Sequence, residues 1–173
     1  MEKQINEKVM EIALSVHKTI PVAWENLFIN ITLAFDGGEV YYFFNEEVKS
    51  DYIYNLYIPK KYELPNSEFR ENERRTFKLA WELREIFKNE EQALWTTCVI
   101  KIIGTKLTAT FDYAPWFESG FTSGQQMNFF EYKHLGKQLA NEKELEQFKA
   151  MEAFQRKYKS TIVNKRLSLV LYQ

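Results

Sequence analysis

Ile5, Val9, Ile12, Val16 and Ile20 recur at steps of three and four residues. That spacing predicts an amphipathic helix over Glu2 to about Thr19, ended by Pro21. Leu27, Ile29, Ile31, Leu33 and Phe35 then alternate with Phe28, Asn30, Thr32 and Ala34, the period-2 pattern of a strand. Asp36-Gly37-Gly38 predicts a hairpin turn into a second strand over Val40 to Phe44. Ile53 to Ile58 reads as a third extended segment closed by Pro59. A helix follows over about Glu68 to Asn89, capped by Asn66 or Ser67, with Thr76, Leu79, Ala80, Leu83 and Phe87 on its core side. Trp95 to Ile103 is a fourth strand. Gly104-Thr105 turns into a fifth, in which Leu107, Ala109, Phe111 and Tyr113 alternate with Thr108, Thr110 and Asp112.

Pro115 removes a ladder donor and stops that strand. Trp116, Phe117 and Phe121 fall in a loop with Glu118, Gly120 and Gly124. Ser123 with Gln126 reads as a capping box, and Gly136 stands where a C′ glycine ends a helix. Asn141 with Glu144 is a second capping signal, opening a helix with Leu145, Phe148, Met151 and Tyr158 on one side. Lys165 to Tyr172 reads as either a short terminal strand or a disordered tail. The order is α-βββ-α-ββ-αα. Strand runs joined by tight turns predict an α+β fold, an antiparallel sheet of about five strands built from β-hairpins, with the helices packed mainly on one face. Residues 1–160 form one domain on this reading, and 161–173 stay unassigned.

Composition narrows the function classes. The chain has 173 residues, 45% hydrophobic and 16% aromatic, enough for a core without metals or disulfides. Its net charge of −1 argues against a nucleic-acid binder. The charge is uneven, however. Pro21 to Ile58 carries six acids against Lys49 alone, whereas Phe154 to Gln173 carries five bases and no acid. The single cysteine, Cys98, fits a reducing compartment. The N-terminus shows no basic n-region followed by an apolar h-region, and no apolar run approaches the length of a membrane span. A cytoplasmic protein is expected, without membrane association.

Reactive constellations are not predicted. Gly104-Thr105-Lys106 lacks the upstream glycine of a phosphate loop and sits between two strands. Glu131 and His134 have the spacing of half a carboxylate di-metal site, but His17 is the only other histidine. Cys98 lies mid-strand without a basic neighbour, and no serine sits on a glycine-flanked elbow. No catalytic residue, metal or cofactor is therefore expected, and the chain does not read as an enzyme.

Phe111-Asp112-Tyr113 followed by Trp116, Met127-Asn128-Phe129-Phe130, and Tyr132-Lys133 with Leu135-Gly136 form a recognisable series. Ile20-Pro21 with Trp24-Glu25, and Tyr57-Ile58-Pro59, add to it. From about Met1 to Ser160 the chain resembles the YezG/EsaG-type antitoxin family. The resemblance implies an immunity protein that neutralises a nuclease (DNase) toxin of the type VII secretion system by stoichiometric protein–protein inhibition. The residues themselves offer two toxin-facing features. One is the loop region Asp112, Tyr113, Trp116, Phe117, Glu118 and Phe121, whose rings are of the type enriched at interface hot spots unless they fold back onto the core. The other is the set Glu39, Glu46, Glu47 and Asp51, either a steering patch for a cationic nuclease or charges that keep an edge from pairing. The hairpin edge permits a homodimer. The competing reading is an interaction or small-ligand-binding α+β module without a toxin partner.

Overall fold

The computed structural model describes residues 1–159 and the backbone of 166–170. Its elements are α1 (Glu2–Thr19), β1 (Trp24–Leu33), β2 (Gly38–Glu46), β3 (Tyr52–Tyr54), α2 (Ile58–Lys61), α3 (Asn66–Asn89), β4 (Thr97–Ile103), β5 (Lys106–Asp112), α4 (Ser123–His134), α5 (Glu142–Lys159) and β6 (Arg166–Val170). All neighbouring strands are antiparallel, in the order β3-β2-β1-β4-β5-β6. The α+β class and the hairpin-built sheet agree with the sequence pattern. β6 comes from the stretch left unassigned and pairs with β5; Lys165 and residues 171–172 lie outside the described residues.

Because side chains alternate across a strand, the sheet has two faces to cover. One face presents Leu27, Ile29, Ile31 and Leu33 of β1, Tyr42 and Phe44 of β2, and Cys98, Ile100 and Ile102 of β4. Two long helices pack here, α1 through Ile5, Val9, Ile12 and Val16 and α3 through Phe69, Ala80, Leu83 and Phe87. Each fully buried aliphatic side chain of this kind stabilises the fold by about 1.5–3 kcal/mol, so this layer supplies most of the driving force. Ser15 and Thr76 share a buried hydroxyl hydrogen bond of 2.7 Å that sets the two helices' register.

The opposite face is also covered. Phe28, Tyr41 and Phe43 meet Phe130 of α4, with Phe43 stacked on that ring at 6.0 Å. A third cluster links Ala114, Trp116 and Phe129 to Phe148 and Met151 of α5.

Several local features differ from the pattern reading. β1 ends at Leu33, so Phe35 lies in the turn instead of on the core face. That turn is fixed by Ala34 N–H donating to Gly37 and by Gly38, where a Cβ would lie 2.2 Å from the Thr32 carbonyl oxygen. The third extended segment stops at Tyr54, because Asn55 Oδ1 accepts the Tyr42 N–H at 3.3 Å and ends the ladder. Pro59 is then accommodated in the first turn of α2. α3 is entered through Pro65 without a side-chain cap. The box that opens α4 is Thr122 with Gln125, one residue earlier than expected.

Glu73 of α3 reaches the first layer of β2. It accepts hydrogen bonds from Tyr42 Oη at 3.0 Å and Asn55 Nδ2 at 3.0 Å. Burial pushes its carboxyl from 4.5 up to about 7, against the pull of those two donors. With a folded pKa above the unfolded one, its contribution is greatest below pH 4.5 and is lost as pH rises to about 7. The loss amounts to about 3 kcal/mol. Denaturant unfolding between pH 4.5 and 8 should show Glu73→Gln gaining on the wild type by that amount as pH rises. Parallel pH profiles for the two proteins would contradict this assignment.

Candidate functional site

Strand β5 places Phe111 on the core face and Asp112 on the opposite one, at the point where the chain leaves the sheet. Asp112 organises the segment beyond the strand. Its Oδ1 accepts the Ala114 N–H at 3.1 Å, and its Oδ2 accepts both Trp116 Nε1–H at 2.8 Å and Gln155 Nε2–H at 2.8 Å. One carboxylate thus joins the strand end, the aromatic loop and α5. The loop is further closed by Ser119 Oγ donating to the Trp116 carbonyl at 2.6 Å and Gln126 Nε2 donating to that of Phe121 at 2.9 Å.

A small cavity of ≈ 70 Å³ lies between this loop, the sheet and α4, lined by Asn30, Thr32, Asp112, Gln126, Lys133 and His134 among others. Burial, with the positive charges of Lys101 and Lys133, pushes His134 down to about 3, so its ring is neutral over the physiological range. The ring sits 4.7 Å from that of Phe130. Asp112, engaged by three donors, serves the fold. Burial pushes the Cys98 thiol up, away from thiolate chemistry. Among the described residues, no group of three or more His, Cys, Asp or Glu is gathered that could hold a metal ion.

The residues expected at a toxin interface are found in three situations. Trp116 is 6% exposed and Phe121 packs between Trp116 and Phe154, so both rings build the loop from within. Tyr113 is half-buried against the main core. Phe117, 54% exposed, and the exposed Glu118 project outward. The acids do not form one patch. Glu39 pairs with Thr32 at the same end of the sheet as the loop, and burial raises its pKa. Glu46 pairs with Trp24 at the other end. The strand between them places these ends about 25 Å apart.

Glu46 is not a free charge. It accepts Tyr62 Oη–H at 2.6 Å and is paired with Lys49 and, at 3.6 Å, with Lys61. The Lys49 hydrogen bond, with that of Tyr62, lowers its carboxyl to about 2. Glu47 and Asp51 in the following loop are exposed. The pattern reading missed Phe35, which is 96% exposed. Its apolar character continued the alternation of β1, while Asp36-Gly37-Gly38 beside it carried the turn signal that places it outside.

Replacing Asp112 by Ala leaves the Trp116 N–H and the Gln155 amide without their acceptor. A loss of about 2–4 kcal/mol is expected in denaturant unfolding, with Asn intermediate because its NH₂ must face a donor. Unchanged stability of Asp112→Ala would refute the structural role.

Residues 5–149 match the family described as immunity protein YezG-like. The type VII secretion system protein EsaG of Staphylococcus aureus (strain NCTC 8325 / PS 47) is 29% identical over 154 residues, spanning 88% of this chain and 94% of that protein. The immunity protein YezG of Bacillus spizizenii (strain ATCC 23059 / NRRL B-14472 / W23) is 24% identical over 134 residues, spanning 77% of this chain and 83% of its own length. The family match runs from α1 into α5 and takes in the Asp112-centred loop, and this chain belongs to the YezG-like immunity protein family.

Proposed function

We propose that this protein is an antitoxin that binds a nuclease toxin exported by a type VII secretion system and neutralises it stoichiometrically in the cytoplasm. The observation that carries this reading is the family match across residues 5–149, an immunity protein having a toxin to cover. The name of the EsaG relative supports the secretion route. The side chains with intrinsic reactivity support a non-catalytic role, since Asp112 is engaged by structural donors and Cys98 is buried. A nuclease must present cations to hold phosphates, and exposed carboxylates on an inhibitor accelerate encounter with such a surface. Glu47, Asp51, Phe117 and Glu118 are the predicted contact residues that remain exposed.

A second reading, a small-ligand module, has one observation in its favour. An apolar cleft of ≈ 440 Å³ opens between α1 and the β4–β5 hairpin, lined by Met10, Leu14, His17, Trp24 and Ile102 among others. Native mass spectrometry of the purified protein should show the bare chain mass on the antitoxin reading. A retained small molecule, lost from a Leu14→Trp variant that narrows the cleft, would favour the ligand module.

The direct test is titration of type VII-exported DNase domains from the same strain. Activity of the cognate domain should fall linearly to zero at an equimolar ratio, with an equimolar complex on size-exclusion chromatography. Indifference of every such domain would reject the antitoxin reading, and an end point far below equimolar would point to catalysis.

A further inference from the structure

Three loops meet at the end of the sheet where β1 and β5 finish, and all three expose an apolar side chain. Phe35 at the β1–β2 turn is 96% exposed, Leu94 before β4 is 38% exposed and Phe117 after β5 is 54% exposed. The loops are adjacent because their strands are: β2, β1, β4 and β5 are consecutive in the sheet, spanning about 15 Å. They are also tied together. Arg84 of α3 donates to the Trp95 carbonyl at 3.1 Å and to the Ala34 carbonyl at 3.5 Å, joining the first loop to the second. Leu33 N–H donates to the Thr96 carbonyl at 2.9 Å. Thr96 Oγ1 in turn donates to the Ala114 carbonyl at 2.6 Å, joining the second loop to the third.

Residues 34–37, 90–96 and 113–121 contain four carboxylates, Asp36, Glu90, Glu91 and Glu118, and no Lys, Arg or His. The C-terminus of α3, at Asn89, adds the negative end of its dipole to the middle loop, with Lys88 of its last turn paired to Glu85; Arg84, which ties the first two loops, sets one cation against the four acids. The opposite end of the sheet differs. Val48 is 95% exposed there, but Glu46 is neutralised by Lys49 and Lys61, and Lys106 flanks the β4–β5 turn.

We propose that the partner toxin is bound at this loop end, with Phe35, Leu94 and Phe117 as apolar anchors and the carboxylates around them facing the toxin's cationic, phosphate-binding cleft. This rests on the antitoxin reading above and names its binding surface. A folded partner with a basic cleft is the occupant because charge complementarity selects it. The surface is negative at its rim and apolar at its points, the arrangement in which charge speeds encounter and buried rings slow release. The hydrogen bonds through Arg84 and Thr96 hold the loops in place before binding, which lowers the entropy lost on association.

Binding kinetics with type VII-exported nuclease domains of the same strain test it. Phe35→Ser, Leu94→Ser and Phe117→Ser together should weaken affinity at least about 100-fold, mainly through dissociation. Reversing Asp36, Glu90, Glu91 and Glu118 to Lys should slow association about tenfold or more at low salt and flatten its salt dependence. Val48→Ser, at the far end, should stay within about twofold of wild type. Melting temperatures identify any variant that loses its fold. For such a case, hydrogen exchange of the wild-type complex decides, with protection of 34–37, 90–96 and 113–119 expected. Wild-type affinity in both loop-end variants, or protection at 47–51 in their place, overturns the assignment while leaving the antitoxin reading standing. Failure of every domain to bind the wild type rejects both.

Discussion

One carboxylate receives three donors at the point where β5 leaves the sheet, and the second half of the molecule is arranged around it. Asp112 holds the Ala114 N–H, the Trp116 indole and the Gln155 amide. Through the first two it folds the loop back over the sheet; through the third it fixes α5 against that loop. Trp116 can then pack on Phe129 and Phe154, at ring distances of 6.2 and 5.2 Å. Hydrogen bonds to a charged acceptor are stronger than neutral ones, and a half-buried carboxylate without them is costly. The Phe-Asp-Tyr and Trp positions that mark the family resemblance are thus explained by construction of the loop. The neighbours Phe117 and Glu118 are left pointing outward by this construction.

Covering both faces of the sheet has a similar consequence. α1 and α3 take the strongly apolar face, leaving Phe28, Asn30, Thr32, Tyr41 and Phe43 on the other. α4 buries the aromatic part of that set through Phe130, while Asn30 satisfies Thr32 by a hydrogen bond of 3.0 Å. The cavity under α4 lies where this aromatic packing meets Asn30, Thr32 and Asp112. His134 at its edge stays neutral beside Lys101 and Lys133.

Where one physical rule decided an element, the sequence was readable. α1 and the β1–β2 hairpin follow from the spacing of apolar residues and from Gly37-Gly38. The continuous runs Leu27-Phe28-Ile29 and Tyr41 to Phe44 carried the sign of a sheet buried on both faces, though not which helix covers the second. Where two rules competed, the sequence was ambiguous. Thr122-Ser123-Gly124-Gln125-Gln126 holds two overlapping capping boxes, and the earlier one prevails because it frees Gln126 to hold the Trp116 and Phe121 carbonyls. The Asp112–Gln155 contact spans 43 residues and has no local signature. The acidic residues of β2 and its flanks were readable as a set but not as a surface, since a strand carries Glu39 and Glu46 to opposite ends.

The overall charge of −1 also bears on how the proposed basic partner would be found. A molecule this close to neutral has no long-range monopole to guide encounter, and at physiological ionic strength fields decay over about 8 Å. Steering must therefore come from charges concentrated within roughly one Debye length of the contact. Three loops with four acids and no base, spanning about 15 Å across neighbouring strands, meet that condition. The carboxylate of Glu46, paired on the spot with Lys49 and Lys61, does not. Even with Arg84 set against the four acids, a nearly neutral chain presents a net negative charge at the loop end. The same geometry places the exposed phenylalanines, Phe35 and Phe117, at that end.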